Sequence, residues 1–275
     1  MTTLRKIRND FFKTSIDFET IDLFLRGELN LNNTELLLKF SDEIPDTTEQ
    51  RLRSDFQQVV SGKPVQYVLG FANFYGRHFK VDSRVLIPEV ETAELIDHVK
   101  DAVLLPLEKD FSILDVGTGS GNIAITLALE LKAEKVLAVD ISRKALNLAR
   151  ENAQNLSASN VKFVLSDLLD NVTGQFDLIV SNPPYISQGA NSVDKEVLDY
   201  EPHQALFAGE DGLTIYRRLI PEMVNHLKKD GYAIFEMDDV QGPAISKLIQ
   251  ASFPKAQPEI FQDTAGLNRF IAWRN

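Results

Sequence analysis

Asn182, Pro183, Pro184 and Tyr185 close the apolar run FDLIVS (176–181). Proline has no N–H, so this segment presents carbonyl oxygens and the Asn182 side-chain oxygen with few competing donors. Each X–Pro junction also holds the preceding residue extended, which stiffens the loop. Such a corner suits an –NH2 group on an sp2 carbon. The Asn182 side-chain oxygen and the Pro183 carbonyl can accept one N–H each, and Tyr185 can cover the flat face of the group. A carboxamide nitrogen is a weak nucleophile because its lone pair is delocalised. As it bonds to carbon it becomes positive, and fixed acceptors on its hydrogens then stabilise the transition state more than the ground state. The nitrogen becomes strongly acidic in the process, so no histidine base is required. The plainer reading is a Pro-rich turn ending a strand, with Tyr185 in the core.

A second group lies in LDVGTGSGNIAITLA (114–128). Asp115 is followed by Gly117, Thr118, Gly119, Ser120 and Gly121, and a helical pattern begins at once. Glycines let a ligand approach the backbone, and a helix N-terminus offers N–H groups and a positive dipole end. The next apolar run ends in Asp140, where a carboxylate can accept from both hydroxyls of a ribose, and a third ends near Asp167, where an adenine would lie. A nicotinamide dinucleotide site and a purely structural loop are the alternatives. The spacing D-x-G-x-G-x-G differs from the G-x-G-x-x-G that makes room for a pyrophosphate. An acidic residue at the start of the loop suits the ammonium of a methionine-like ligand, which points to S-adenosylmethionine.

The elements that must position these groups alternate from residue 111 onward. Short apolar runs at 112–117, 136–140, 161–166, 176–181, 232–237 and 269–274 are separated in the main by helical patterns such as NIAITLALEL. This texture predicts a mainly parallel sheet covered on both faces, with ligands beyond the carboxyl ends of the strands. Residues 1 to about 60 read as helices, with Thr47 or Thr48 as an N-cap and Gly62 as a C-cap. PVQYVLGFANFYGRHFKVDSRVLIP (64–88) is rich in β-branched and aromatic residues and reads as containing a hairpin. ETAELIDHVKDAVLL (91–105) resumes helical spacing, and the long segment 187–206 is a candidate substrate lid.

Composition narrows the function classes. The chain has 275 residues and a net charge of −11. Residues 1–80 hold 11 basic and 11 acidic side chains, so the negative excess sits entirely in the remainder. Duplex phosphates call for a basic face, and the bulk sign argues against nucleic acid as the main partner. No apolar run reaches the ~20 residues of a membrane span, and the N-terminus lacks a signal-peptide pattern. The absence of cysteine excludes disulfides and fits a cytoplasmic protein. His78, His98, His203 and His226 show no metal-ligand spacing, and no metal is expected.

The chain resembles the release-factor glutamine methyltransferases, the PrmC/HemK family. The resemblance runs through TELLLKF, GKPVQYVLGFANFYGRHFKVDSRVLIP, DVGTGSGNIAITLA, AVDIS, FDLIVSNPPYI, YEPHQALFAGEDGL and DTAGLNRFIAWR. It implies a class I S-adenosylmethionine-dependent methyltransferase fold, Rossmann-like, with a mainly parallel seven-stranded α/β sheet. An N-terminal helical domain (1–72) for substrate recognition would be joined by a β-hairpin linker (73–90) to the methyltransferase domain (91–275). It also implies methyl transfer to the side-chain nitrogen of the glutamine in the GGQ motif of class I peptide chain release factors, with S-adenosylhomocysteine as product. Carried over, Gly117–Gly121, Asp140 and Asn182 would contact the cofactor, and Asn182, Pro183, Pro184 and Tyr185 would hold the glutamine. Leu168 stands where relatives often place a large side chain against the adenine. In IPEVET (87–92) the family commonly reads I-P-R-P-E-T, so Glu89 and Val90 depart from it; Glu89 reads as a solvated surface charge. Glu201, Pro202 and His203 match an E-P segment in part. NPPY is shared with adenine-N6 methyltransferases of DNA, and it does not separate a release-factor glutamine from a ribosomal-protein glutamine, although the N-terminal third resembles the release-factor group more.

Overall fold

A computed structural model describes residues 2–103, 111–189 and 195–275. The chain divides into two compact units. One gathers the chain up to Ala72 together with a short helix, Lys195–Tyr200; the other begins at Asn73 and resumes after that helix to Asn275.

The smaller unit opens with strand β1 (Thr2–Thr3), then α1 (Leu4–Phe11), α2 (Phe18–Leu29) and α3 (Asn33–Leu38). Strand β2 (Glu43–Ile44) pairs antiparallel with β1, and α4 (Asp46–Val60) and α5 (Val65–Leu69) follow. Local chemistry sets these boundaries. Asp17 accepts the Thr20 N–H at the start of α2, and Asn32 with Glu35 forms a reciprocal capping box on α3. Phe11 stacks on Phe56 at 3.8 Å between ring centroids, and Phe24 packs against both. Helix α4 begins at Asp46, so Thr47 and Thr48 lie inside its first turn rather than capping it. Gly62, at φ +94°, stands one residue past the Ser61 cap, and Lys63 N–H closes back on the Gln58 carbonyl. VQYVL, which reads as β from its composition, is helical: Pro64 supplies a fixed φ at its start, Gly70 ends it in the left-handed region, and Val65 joins the small unit's core.

The hairpin consists of β3 (Phe71–Phe74) and β4 (Arg77–Lys80), turning through Tyr75 and Gly76, both at positive φ. It is shorter than the 73–90 expected, and residues 81–91 carry no strand. Phe74 and Phe79 are buried in the larger unit's core.

The chain then runs through α6 (Thr92–Ala102), β5 (Ser112–Val116), α7 (Asn122–Glu130), β6 (Lys135–Asp140), α8 (Arg143–Asn155), β7 (Val161–Leu165) and β8 (Phe176–Ser181). After α9, the Lys195–Tyr200 helix, come α10 (Thr214–Glu222), β9 (Leu227–Glu236), α11 (Gly242–Ser252), β10 (Glu259–Gln262) and β11 (Asn268–Arg274). Leu104 and Leu105, read as extending α6, lie outside the described residues, as do residues 190–194 of the candidate lid. Seven strands form one sheet in the order β10-β11-β9-β8-β5-β6-β7, parallel from β7 to β9, with β11 antiparallel to both its neighbours. Strand β10 has no clear alternation in sequence and was not expected from it. Side chains alternate across the sheet. Ile113, Val136, Leu178, Val180 and Ile234 face one core with α6, α7 and the hairpin, whereas Leu114, Val139, Ile179 and Phe235 face the other with α10 and α11. Strands β5, β6 and β7 run outward in one direction and β8 lies on the other side of β5. The carboxyl ends of β5 and β8 therefore flank the switch point where ligands bind in open parallel sheets. No helix among the described residues is long and apolar enough to cross a membrane.

Candidate active site

A cavity of about 350 Å³ opens at that switch point. Its wall includes Gly117, Thr118, Gly119 and Ser120 after β5, Asp140 and Ile141 after β6, Asp167 and Leu168 after β7, and Asn182, Pro183 and Pro184 after β8. Ser181 Oγ donates to the Val116 carbonyl at 2.6 Å, and the Asn182 carbonyl lies 4.0 Å from where a β-carbon on Gly117 would stand. The two loops singled out in the sequence are thus adjacent.

The glycine loop spends most of its N–H groups internally. Those of Gly117 and Thr118 donate to the Val139 carbonyl, Gly121 N–H donates to the Thr118 carbonyl, and Gly119 N–H reaches Asp140 Oδ2 at 2.9 Å. Ser142 N–H holds the other Asp140 oxygen at 2.7 Å. Burial raises the Asp140 carboxyl and these two bonds oppose the rise. The carboxylate is therefore locked in place with lone pairs left over for a ligand.

Asp115, expected at the ligand, stands behind the cavity wall. Its Oδ2 accepts from Thr118 Oγ1 at 2.7 Å and from the Ala124 N–H at 3.1 Å, where it caps the first turn of α7. Its other oxygen is buried without a partner among the described residues, and burial pushes the carboxyl up to about 7. Gly121 and Tyr185 also sit outside the cavity lining. Gly121, at φ +82°, is the cap residue of α7 and faces Ile125 and Ala149.

The NPPY corner is held from three directions. Asn182 Nδ2 donates to Thr92 Oγ1 at 3.1 Å, and Thr92 donates to Glu236 Oε2 at 2.7 Å. Tyr185 OH reaches the other oxygen of Glu236 at 3.3 Å, while Gln241 Nε2 takes the Tyr185 backbone carbonyl at 2.9 Å. Among the described residues, no donor meets Asn182 Oδ1 or the Pro183 carbonyl. Glu236 is fully buried, and burial with the nearby Glu89 charge pushes it up to about 8. Burial, then the Glu236 and Glu89 charges, raises the Tyr185 phenol as well.

Glu89 is exposed, as read from the sequence, and it also lines the cavity, where the surrounding protein together with the Glu91 charge raises its carboxyl. Glu201 accepts the Ile87 N–H at 3.0 Å, and burial pushes it up to about 7. Sequence reasoning missed Glu236, Gln241 and Ile141. A lone acid closing the apolar run YAIFE was the available signal for the first.

The residues fit S-adenosylmethionine. A β-carbon on Gly119 would meet no protein atom within 4 Å, so both this glycine and Gly117 leave a cradle open in the wall. The two arginines of the lining are already paired, Arg84 with Asp82 and Arg218 with Asp167. Among the described residues no cation pairs with Asp140 or Glu89, so the wall suits a positively charged ligand better than a diphosphate.

Known proteins resemble this chain over most of its length. The model of the methyltransferase small domain matches residues 88–205, and that of the PrmC N-terminal domain matches residues 5–70. The chain is 41% identical over 257 residues to the release factor glutamine methyltransferase of Streptococcus pneumoniae, covering 92% of this chain and 90% of that protein. It is 42% identical over 262 residues to the Bacillus cereus protein of the same description, covering 91% and 90%. A methyltransferase structure from Pyrococcus furiosus shares the fold, with a TM-score of 0.54 over 80% of this chain and 97% of that one at 16% identity.

Proposed function

The chain belongs to the release factor glutamine methyltransferases, and from that premise we propose that it methylates the side-chain amide nitrogen of the GGQ glutamine in class I peptide chain release factors, using S-adenosylmethionine. The observation that carries this reading is the position of Asn182: it lines the same cavity as the glycine loop, its Nδ2 is bound to Thr92, and among the described residues no donor meets its Oδ1.

S-adenosylmethionine, when bound, supplies a methyl group on a sulfonium sulfur. Asp140 accepts from the ribose hydroxyls, Ile141 and Leu168 offer apolar surface to the adenine, and the glycine loop accommodates the rest. Asn182 Oδ1 and the Pro183 carbonyl each accept one N–H of the glutamine amide. Held this way, the amide loses the freedom to rotate and presents its nitrogen in one orientation. The two acceptors bind more strongly as the nitrogen becomes positive, and they need not reorganise because the prolines fix them. The nitrogen then releases a proton to water. No metal takes part in this scheme. The N-terminal helical domain, residues 1–72, grips the protein substrate, residues 73–90 link it, and residues 91–275 carry the chemistry.

The test is transfer of labelled methyl from S-adenosylmethionine to purified release factor with its GGQ glutamine intact or replaced, beside ribosomal protein and duplex DNA. Label is expected only on the intact factor. Label on DNA, or equal label on the glutamine-less factor, rejects the reading.

A further inference from the structure

The two ends of an asparagine carboxamide are nearly equal in size, so packing cannot choose which one faces a ligand; hydrogen bonds must. The choice is consequential at Asn182, because an NH2 end turned to the cavity would oppose the amide hydrogens it has to accept. Thr92, in the first turn of α6 and only 1% exposed, is the group that meets this side chain. A hydroxyl carries one proton. That of Thr92 is donated to Glu236 Oε2, which leaves lone pairs toward Asn182. Those lone pairs attract Nδ2–H and repel Oδ1. Glu236, at the end of β9, is wholly enclosed and its Oε1 is occupied by the Tyr185 hydroxyl. With the Tyr185 hydroxyl donating to Oε1, Oε2 is the carboxyl oxygen that accepts from Thr92.

We infer that Thr92 and Glu236 are positioning residues for Asn182: by consuming the Thr92 proton, Glu236 sets the direction of a hydrogen-bond chain that turns the Asn182 oxygen toward the substrate nitrogen. The inference deepens the functional reading above and rests on it. It assigns the pair no contact with the reacting atoms. It also gives a role to a carboxyl group that, among the described residues, is buried with Thr92 and Tyr185 but no cation in hydrogen-bond contact.

The test compares wild type with Thr92→Val, Thr92→Ser, Asn182→Ala, Glu236→Leu and the Thr92→Val/Asn182→Ala double variant. Each is assayed for methyl transfer to purified release factor, for S-adenosylmethionine binding by calorimetry and for its melting midpoint. Thr92→Val, which keeps shape and loses the hydroxyl, should lower kcat about 10- to 100-fold while cofactor affinity stays within about threefold. Glu236→Leu should do the same, and Thr92→Ser should restore most of the rate. Because Thr92 acts through Asn182, the double variant should be no slower than Asn182→Ala alone. Wild-type kcat in Thr92→Val, or losses that multiply in the double variant, overturns the inference. A second readout needs no substrate. The Asn182 carboxamide protons, assigned by NMR, should show one hydrogen-bonded signal in wild type and Thr92→Ser that is lost in Thr92→Val. An unchanged spectrum in Thr92→Val overturns the inference even if release factor proves not to be the substrate, whereas unlabelled release factor with wild type overturns only the functional reading.

Discussion

Gly212 presses so closely on the backbone carbonyl of Tyr185 that a β-carbon on it would overlap that oxygen and the Gln241 amide nitrogen beside it. Its φ of +73° adds a conformational demand that glycine meets without strain. The contact closes the far side of the NPPY corner, 27 residues along the chain from Tyr185. Gly212→Ala should therefore destabilise the protein by about 1–3 kcal/mol and shift the corner. The melting midpoint should fall by several degrees. Methyl transfer should fall more than S-adenosylmethionine affinity does, because the displaced group is the acceptor corner and not the glycine loop; calorimetry beside a rate assay checks this.

Asn182→Ala removes one of the two acceptors and should lower kcat by about 10²- to 10³-fold, the range seen when a single preorganised group at a developing charge is deleted. Its melting midpoint should stay close to that of wild type, since Asn182 lies at the cavity wall. A near-normal turnover would remove the acceptor role from the mechanism.

Gly119→Ala separates binding from folding. The added methyl meets no protein atom, so the cost to stability is that of an L-residue at φ +54°, about 1 kcal/mol. The methyl stands in the cradle, however, and S-adenosylmethionine affinity should fall at least about tenfold. Calorimetric titration of the variant measures it.

Two buried carboxyls, Asp115 and Glu236, and one half-buried carboxyl, Glu201, give stability a definite pH dependence. Burial raises Asp115 and Glu201 to about 7 and Glu236 to about 8, the last against Glu89, Arg269 and Tyr185 as its charged and titratable neighbours. Each group binds its proton more tightly folded than unfolded, so the folded state holds more protons between the unfolded and folded values. Their contribution is fully present below about pH 4 and is lost as pH rises through 7 to 8. The cofactor-free protein should melt several degrees lower at pH 8.5 than at pH 6. Glu236→Gln, which cannot ionise, should make that difference smaller, as thermal melts across the pH range would reveal.

Much of this site was legible residue by residue. The three glycines of 117–121 have positive φ, Asp140 at the end of β6 lines the cavity, and the NPPY corner follows a buried strand beside the glycine loop. Each of these is a local statement: a torsion only glycine tolerates, a donor that proline lacks, a period-2 alternation that survives only when one face is buried. Strand β10 escaped because EIFQ is a short edge strand with mostly exposed side chains, and such a strand leaves no alternation to read. The helix α5 escaped because its β-branched and aromatic residues are held helical by tertiary packing that outweighs a weak propensity.

What the sequence by itself determined, then, is the inventory and its local shape: a parallel sheet of βα units, a glycine cradle after one strand and a donor-poor corner after another. The tertiary structure alone decided how those parts are aimed. Asp115 turned to cap a helix behind the loop, Glu89 came to rest in the cavity wall, and Asn182 received its orientation from Thr92, 90 residues away, which in turn is bound to Glu236 across 144. Torsional limits and burial periods act over a few neighbouring residues and so leave a trace in the string of letters. A hydrogen-bond partner is selected by where the folded chain brings two distant groups, and nothing in the immediate neighbours of Asn182 encodes that meeting.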